Sequence, residues 1–221
     1  MIEVVLDTET TGLSVREGHR IVEIGCIELN NLSPTSKKFH YYLNPERKVS
    51  EKALEVHGYT DEFLSTKKKF NEVADEFLNF IEGKVLIIHN AEFDLSHLNN
   101  ELKILGKNTI KNVVVDTLSV ARDKFPGSSI SLDALCKRFR IDNTNRTKHT
   151  ALIDCELLSK VYINLTDQRE PSLNFQSDDN NKLNLNLENN NYCKNIINPN
   201  SDELRLHKDF LKAGLKKNFF N

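Results

Sequence analysis

Residues 2–12 read IEVVLDTETTG. A β-branched apolar run, 2–6, meets two carboxylates and three threonines, the pattern of a buried strand whose end turns polar. Asp7 and Glu9 are two apart. A strand's period of two puts both carboxylates on one side, with Cβ atoms roughly 6–7 Å apart. No basic residue in the stretch offsets them, and two like charges at a sheet's end repel unless a cation lies between them. Hard divalent metals take carboxylate oxygens, and magnesium typically uses one or two plus waters. Acids and threonines also form ordinary solvated turns, so this stretch alone leaves both readings open.

Working outward, residues 20–29 (RIVEIGCIEL) alternate like a second strand and 38–44 (KFHYYLN) like a third. Gly12 and Gly18 bracket the first turn, which suits a meander of three antiparallel strands. The apolar positions Phe70, Val73, Ala74, Phe77, Leu78 and Ile81 follow helical spacing, with Gly83 as a stop. Residues 84–88 (KVLII) predict a strand, followed by HNAEFD and a helix carrying Leu95, Leu98, Leu102 and Leu105 that ends at Gly106. A short strand at 113–115, a short helix over Ser131–Ile141 and a final helix from about Thr150 to Leu165 complete the pattern. Strands first and then strand–helix alternation predict an α/β domain over 1–166 with a mixed five-stranded sheet flanked by helices.

Composition narrows the function classes. Lys and Arg total 30 against 32 Asp and Glu, a formal net charge of −2. A protein gripping nucleic acid by summed charge would be clearly basic, so any such substrate must be drawn by local geometry or by metal ions. Cys26, Cys136, Cys155 and Cys193 form no CxxC pair, which argues against a zinc site and a disulfide framework. The acidic N-terminus is unlike a signal peptide, and no apolar run approaches roughly 20 residues. The chain therefore reads as soluble and cytoplasmic, with no membrane partner.

Two further clusters carry chemistry. In His89-Asn90-Ala91-Glu92-Phe93-Asp94, Asp94 falls in a helix's first turn, where the backbone dipole favours an acid. It also follows a strand's C-terminal edge, where α/β sheets place ligands. In Lys148-His149-Thr150-Ala151-Leu152-Ile153-Asp154, five residues on one continuous helix would set His149 and Asp154 roughly 140° apart. A helix beginning at Thr150 leaves His149 on the preceding loop, free to bend toward Asp154.

Joined, D-x-E, then HNAxFD about 85 residues on, then H-x4-D about 55 further, resemble the DEDDh exonuclease family. Asp7, Glu9, Asp94 and Asp154 match its four acids and His149 its histidine. More narrowly, several segments are similar to epsilon-type (DnaQ) proofreading exonucleases of bacterial DNA polymerase III. They are VLDTETTGL (5–13), IVEIGCIEL (21–29), ALEVHG (53–58), FNEVADEFLNFI (70–81), HNAEFD (89–94), SLDALCKRF (131–139) and RTKHTALIDCELLSKVY (146–162). The resemblance covers residues 1–165. It implies a ribonuclease-H-like fold and two Mg²⁺ or Mn²⁺ ions held by the four acids. It further implies His149 as general base and release of 5′-mononucleotides from a DNA 3′ end. Asp7, Glu9, Asp154 and His57 would also contact the terminal nucleotide. Lys52 departs from the pattern, since some family members carry an acid there; a lysine at that place can reach phosphate.

Between Asn174 and Asn200, 11 of 27 residues are asparagine, so 167–200 reads as a flexible linker. Residues 201–221 regain an apolar pattern, with Ser201 as a cap and Leu204, Leu206, Phe210, Leu211 and Leu215 on an amphipathic helix. A short helix is marginal in water, so a partner's groove should cover it. The resemblance makes that partner the polymerase III catalytic (alpha) subunit. Phe219 or Phe220 stands where relatives often close with tryptophan. It also suggests a small theta-like subunit, and a sliding-clamp contact through Leu173 and Phe175, where Glu170 replaces the usual glutamine. Two other readings compete: a stand-alone DEDDh RNase trimming RNA 3′ ends, and a polymerase-binding scaffold with little nuclease activity.

Overall fold

The computed structural model describes residues 2–144, 146, 148–166 and 199–214. The chain divides into two units, 1–173 and 174–221. The first holds strands β1 (Ile2–Thr10), β2 (Ile21–Asn30) and β3 (Ser33–Tyr42), then helices α1 (Glu51–His57), α2 (Asp61–Ser65) and α3 (Phe70–Ile81). Strand β4 (Val85–Ile88), helix α4 (Ala91–Ile104), strand β5 (Val114–Asp116) and helices α5 (Thr117–Lys124), α6 (Leu132–Phe139) and α7 (Ala151–Leu165) follow. The five strands form one mixed sheet in the order β3-β2-β1-β4-β5, antiparallel across β1–β2–β3 and parallel across β1–β4–β5.

Alternation along the central strand divides the core. Val4 and Leu6 pack with Ile24, Phe39, α3 and α4 on one face. Val5 packs with Ile27, Leu29, Ile87 and helices α5 to α7 on the other. β1 extends beyond the apolar run because β2 keeps pairing with it as far as Thr10, through a register shift at Glu9 and Thr10. Asp7 and Glu9 are thus strand residues, and TETT continues the ladder. β3 starts at Ser33, five residues earlier than the apolar pattern predicts. A two-residue turn, Asn31 (φ 47) and Leu32 (φ 65), reverses the chain, and an edge strand tolerates Pro34.

Helices α1, α2 and α5 carry little apolar periodicity and were not legible. Caps begin them: Ser50 Oγ accepts from the Ala53 amide, Thr60 Oγ1 from Phe63, and an Asp116 carboxylate oxygen from Leu118. Three described cysteines, Cys26, Cys136 and Cys155, are buried and unpaired. No helix among the described residues is long and apolar enough to cross a membrane.

In the second unit, helix α8 spans Ser201–Gly214. Its cap is Asn200, not Ser201. Asn200 Oδ1 accepts from the Glu203 amide at 2.9 Å, while the Asn200 amide donates to Glu203 Oε2 at 2.9 Å. Asn200 has Glu203 three residues on to return the bond, whereas a cap at Ser201 would have Leu204 there, which cannot. Leu204, Leu206 and Phe210 are 48%, 65% and 65% exposed. Leu173, Phe175, Leu215, Phe219 and Phe220 lie outside the described residues, as does most of the predicted linker.

Candidate active site

β1 and β4 run parallel, so their C-terminal ends open on the same edge of the sheet. Around that edge Asp7, Glu9, Asp94, His149 and Asp154 line a cleft of about 170 Å³, together with Thr8, His89, Phe93 and Arg146. Two layers contribute. Asp7 and Glu9 share the odd-numbered face of β1 with Val5, toward α7, whose first turn carries Asp154. Thr8 points the other way, toward α4, and its hydroxyl donates to Asp94 Oδ1 at 2.7 Å. Asn90 opens α4 from a left-handed conformation, φ 72, with its amide donating to Asp116 Oδ1 at 3.0 Å. This sharp entry turns Asp94 inward, where it is 2% exposed.

His149 lies on the loop before α7, whose cap is Thr150. Its backbone amide donates to the Val56 carbonyl at 3.2 Å, and its Nδ1 lies 3.4 Å from Asp154 Oδ2. The loop placement therefore overcomes the angular mismatch of a continuous helix. Gly25 makes the close approach of α7 possible: a Cβ there would lie 2.6 Å from the Ala151 carbonyl carbon.

Electrostatics mark the cluster as short of positive charge. Burial and then the neighbouring acids, Asp94 first, push Asp7 well above the carboxylate range. Burial, with Asp154, Glu23 and Asp94, pushes Glu9 up to about 8. Asp94 is also raised, by burial, against the lowering effect of its hydrogen bond from Thr8. Asp154 differs. Burial would raise it, but hydrogen bonds from His149 and Arg146 hold it below its ordinary value. Arg146 grips both Asp154 oxygens, Nε to Oδ1 at 2.6 Å and a second nitrogen to Oδ2 at 2.7 Å, and also reaches Asp133 Oδ2 at 2.7 Å.

Ligand atoms of Glu9, His149 and Asp154 all fall within 4.8 Å of one another. With Asp7 and Asp94 alongside, this oxygen-rich donor set fits a hard divalent cation. Lys52 and His57 sit apart from the acids. They line an adjoining cleft of about 490 Å³ that shares Glu9 and Phe93 with the first. His57 is buried, accepts at Nδ1 from the Tyr59 amide at 3.0 Å and stacks on the Tyr59 ring, so it packs as well as lines the cleft. Thr8 and Arg146 escaped the sequence reading. Thr8 looked like a turn residue, and the three-residue spacing of Arg146 before His149 was its only signal.

A family model described as an exonuclease (RNase_T) matches residues 4–162. DNA polymerase III subunit epsilon of Rickettsia felis is 47% identical, with 97% of each chain covered. This chain belongs to the epsilon family of exonucleases. The Escherichia coli epsilon subunit is 48% identical over 74% of this chain and 71% of its own. Among solved structures, the nuclease domain of 3′hExo, a DEDDh member bound to rAMP, superposes with a TM-score of 0.66 at 17% identity, covering 76% of this chain and 92% of that one. Exonuclease I gives 0.67 at 18% identity over 77% and 41%. These two share the fold. The exonuclease is thus a metal-dependent hydrolase acting 3′→5′, a member of the DNA polymerase III epsilon lineage.

Proposed function

We propose that Asp7, Glu9, Asp94 and Asp154 hold two Mg²⁺ or Mn²⁺ ions against the terminal phosphodiester of a DNA 3′ end, and that His149 accepts the proton of the attacking water. The observation that carries this reading is the convergence of all five side chains on one cleft at the end of β1. Bound there, the cations would stabilise the charge gained by the attacking and leaving oxygens. Asp7 and Glu9 on β1, Asp154 at the start of α7 and Asp94, oriented by the Thr8 hydroxyl, would hold the ions between them.

The proton path follows from the ring's contacts. Nδ1 lies near both Asp154 Oδ2 and an Arg146 nitrogen, at 3.4 and 2.7 Å. A guanidinium only donates, so Nδ1 accepts from Arg146 in this arrangement. With Arg146 moved off, a proton on Nδ1 points to Asp154 and leaves the Nε2 lone pair for the water. The ring is 44% exposed, so the proton passes on to solvent. Arg146 would compete with a cation for the two Asp154 oxygens, and Asp133 offers the guanidinium a second anchor. Lys52 and His57, in the adjoining cleft, are assigned to the terminal nucleotide.

The biological role is proofreading within a DNA polymerase III assembly. α8 docks on the catalytic subunit, and the segment around Leu173 and Phe175 on the sliding clamp. Similarity to epsilon subunits over 97% of the chain, well past the nuclease fold, supports this over an RNA-trimming enzyme. The test is a 5′-labelled single-stranded DNA with Mg²⁺. Stepwise shortening from the 3′ end, release of 5′-mononucleotides and arrest by a chelator are expected. Preference for RNA of the same sequence would favour the RNase reading, and internal cuts would refute both.

A further inference from the structure

Glu23 is a buried carboxylate with no part in the chemistry described above. Its side chain is 0% exposed. It lies on β2 directly opposite Glu9 in the β1–β2 ladder, with Tyr42 opposite it on β3. A carboxylate in such a place is strongly unfavourable unless its oxygens are saturated by donors. They are. Oε1 meets His40 Nε2 at 2.7 Å. Oε2 accepts from the Tyr59 hydroxyl at 2.8 Å and from the Ala151 amide at 3.0 Å.

The three donors come from β3, the loop after α1 and the start of α7, and the last two carry parts of the site. Ala151 is the first residue of α7, two after His149 and three before Asp154. Its amide is one of the free N–H groups that any helix start must satisfy. Thr150 caps the Ile153 amide from within the helix, whereas Glu23 holds the Ala151 amide from the sheet. Tyr59 stacks on His57 with ring centroids 4.8 Å apart, and His57 lines the cleft beside Glu9. One carboxylate thus ties the start of α7, the His57 wall and the strand partner of Glu9 to a single point.

We infer that Glu23 is a positioning residue whose two oxygens set the register of α7 and of the His57–Tyr59 wall against the β1 carboxylates, by hydrogen-bond geometry and not by charge. Glutamine can reproduce the arrangement. Its carbonyl oxygen accepts from Tyr59 and Ala151, and its amide nitrogen donates to His40 in the tautomer with a free Nε2. Aspartate keeps the charge but is one methylene shorter and cannot reach Ala151 and Tyr59 together.

This inference rests on the nuclease reading, and the parent enzyme's own 3′→5′ activity checks that reading separately. The experiment compares Glu23→Gln and Glu23→Asp on a single-stranded oligonucleotide, at a temperature where circular dichroism shows both folded. Glu23→Gln should keep kcat within about threefold of the parent, while Glu23→Asp should lose at least tenfold and bind Mn²⁺ at least tenfold more weakly by calorimetry. A purely structural role would lower the melting temperature without this order in kcat. Tyr59→Phe provides an independent arm should the aspartate variant not fold. Removal of that hydroxyl loosens the His57 wall alone and should raise KM at least threefold with kcat within twofold. An active Asp variant beside an inactive Gln variant would overturn the inference in favour of charge. Loss of activity in both, parental kinetics in both, or an unchanged KM for Tyr59→Phe would overturn it as well.

Discussion

Burial first, then Asp154 and the Glu23 carboxylate opposite it in the ladder, push the Glu9 carboxyl up to about 8 from an ordinary 4.5. Between those values the folded chain keeps a proton that the unfolded chain releases. Folding of the metal-free protein therefore weakens as pH rises through that window, and the loss is complete above it. Asp7, raised in the same direction, adds to the slope. Thermal melts in a chelator should give a higher melting temperature at pH 5 than at pH 8. Glu9→Gln should flatten the difference, and Mn²⁺ should raise the pH 8 value by binding the folded state. His149 makes a second prediction. A general base contributes about 10²–10⁴-fold, so His149→Ala should lower kcat by that range and lose the acid limb of the pH–rate profile. A variant with the parent's profile would leave the histidine a structural role. At this scale the five candidate residues, which line one cleft, were legible because each sits in a short, distinctive segment. Thr8 and Glu23 were not, since their partners lie 86 and 128 residues away and nothing local announces a hydrogen bond across the fold; Arg146 had only its spacing before His149.

Helix α7 shows how an element carries a site. Its first turn holds Asp154, its preceding loop holds His149, and Gly25 lets its start lie directly on the sheet. Gly25→Ala puts a methyl 2.6 Å from backbone that has no flexible end to yield. Overpacking of this kind costs about 1–3 kcal/mol. The variant should melt lower and lose most of its activity, because α7 can relieve the clash only by moving His149 and Asp154 away from Asp7. Retained activity in a destabilised Gly25→Ala protein would show that the site tolerates that displacement. Long periodic elements such as α3 and α4 were readable, as were the apolar strands. Helices α1 and α2, of 7 and 5 residues, are too short to display a period and are started by caps. The early start of β3 depends on Leu32 accepting a left-handed φ of 65, which no propensity favours.

For the whole molecule, a formal charge of −2 gives no broad field to draw nucleic acid. Affinity for DNA then falls to the site itself and to whatever holds the enzyme near a primer end. Helix α8 is suited to the latter, with its exposed Leu204, Leu206 and Phe210. Deletion of 201–221 should leave mononucleotide release from free DNA unchanged and abolish co-purification with the polymerase catalytic subunit. A truncated chain that still binds at full affinity would move the interface to the nuclease unit. If the β1 carboxylates and their partners hold two divalent cations for hydrolysis, calorimetric titration of Mn²⁺ will find two ions per chain in the parent and no tight site in Asp7→Ala/Glu9→Ala, which folds as the parent does. Two ions bound by that double variant with parental affinity would rule the two-cation site out.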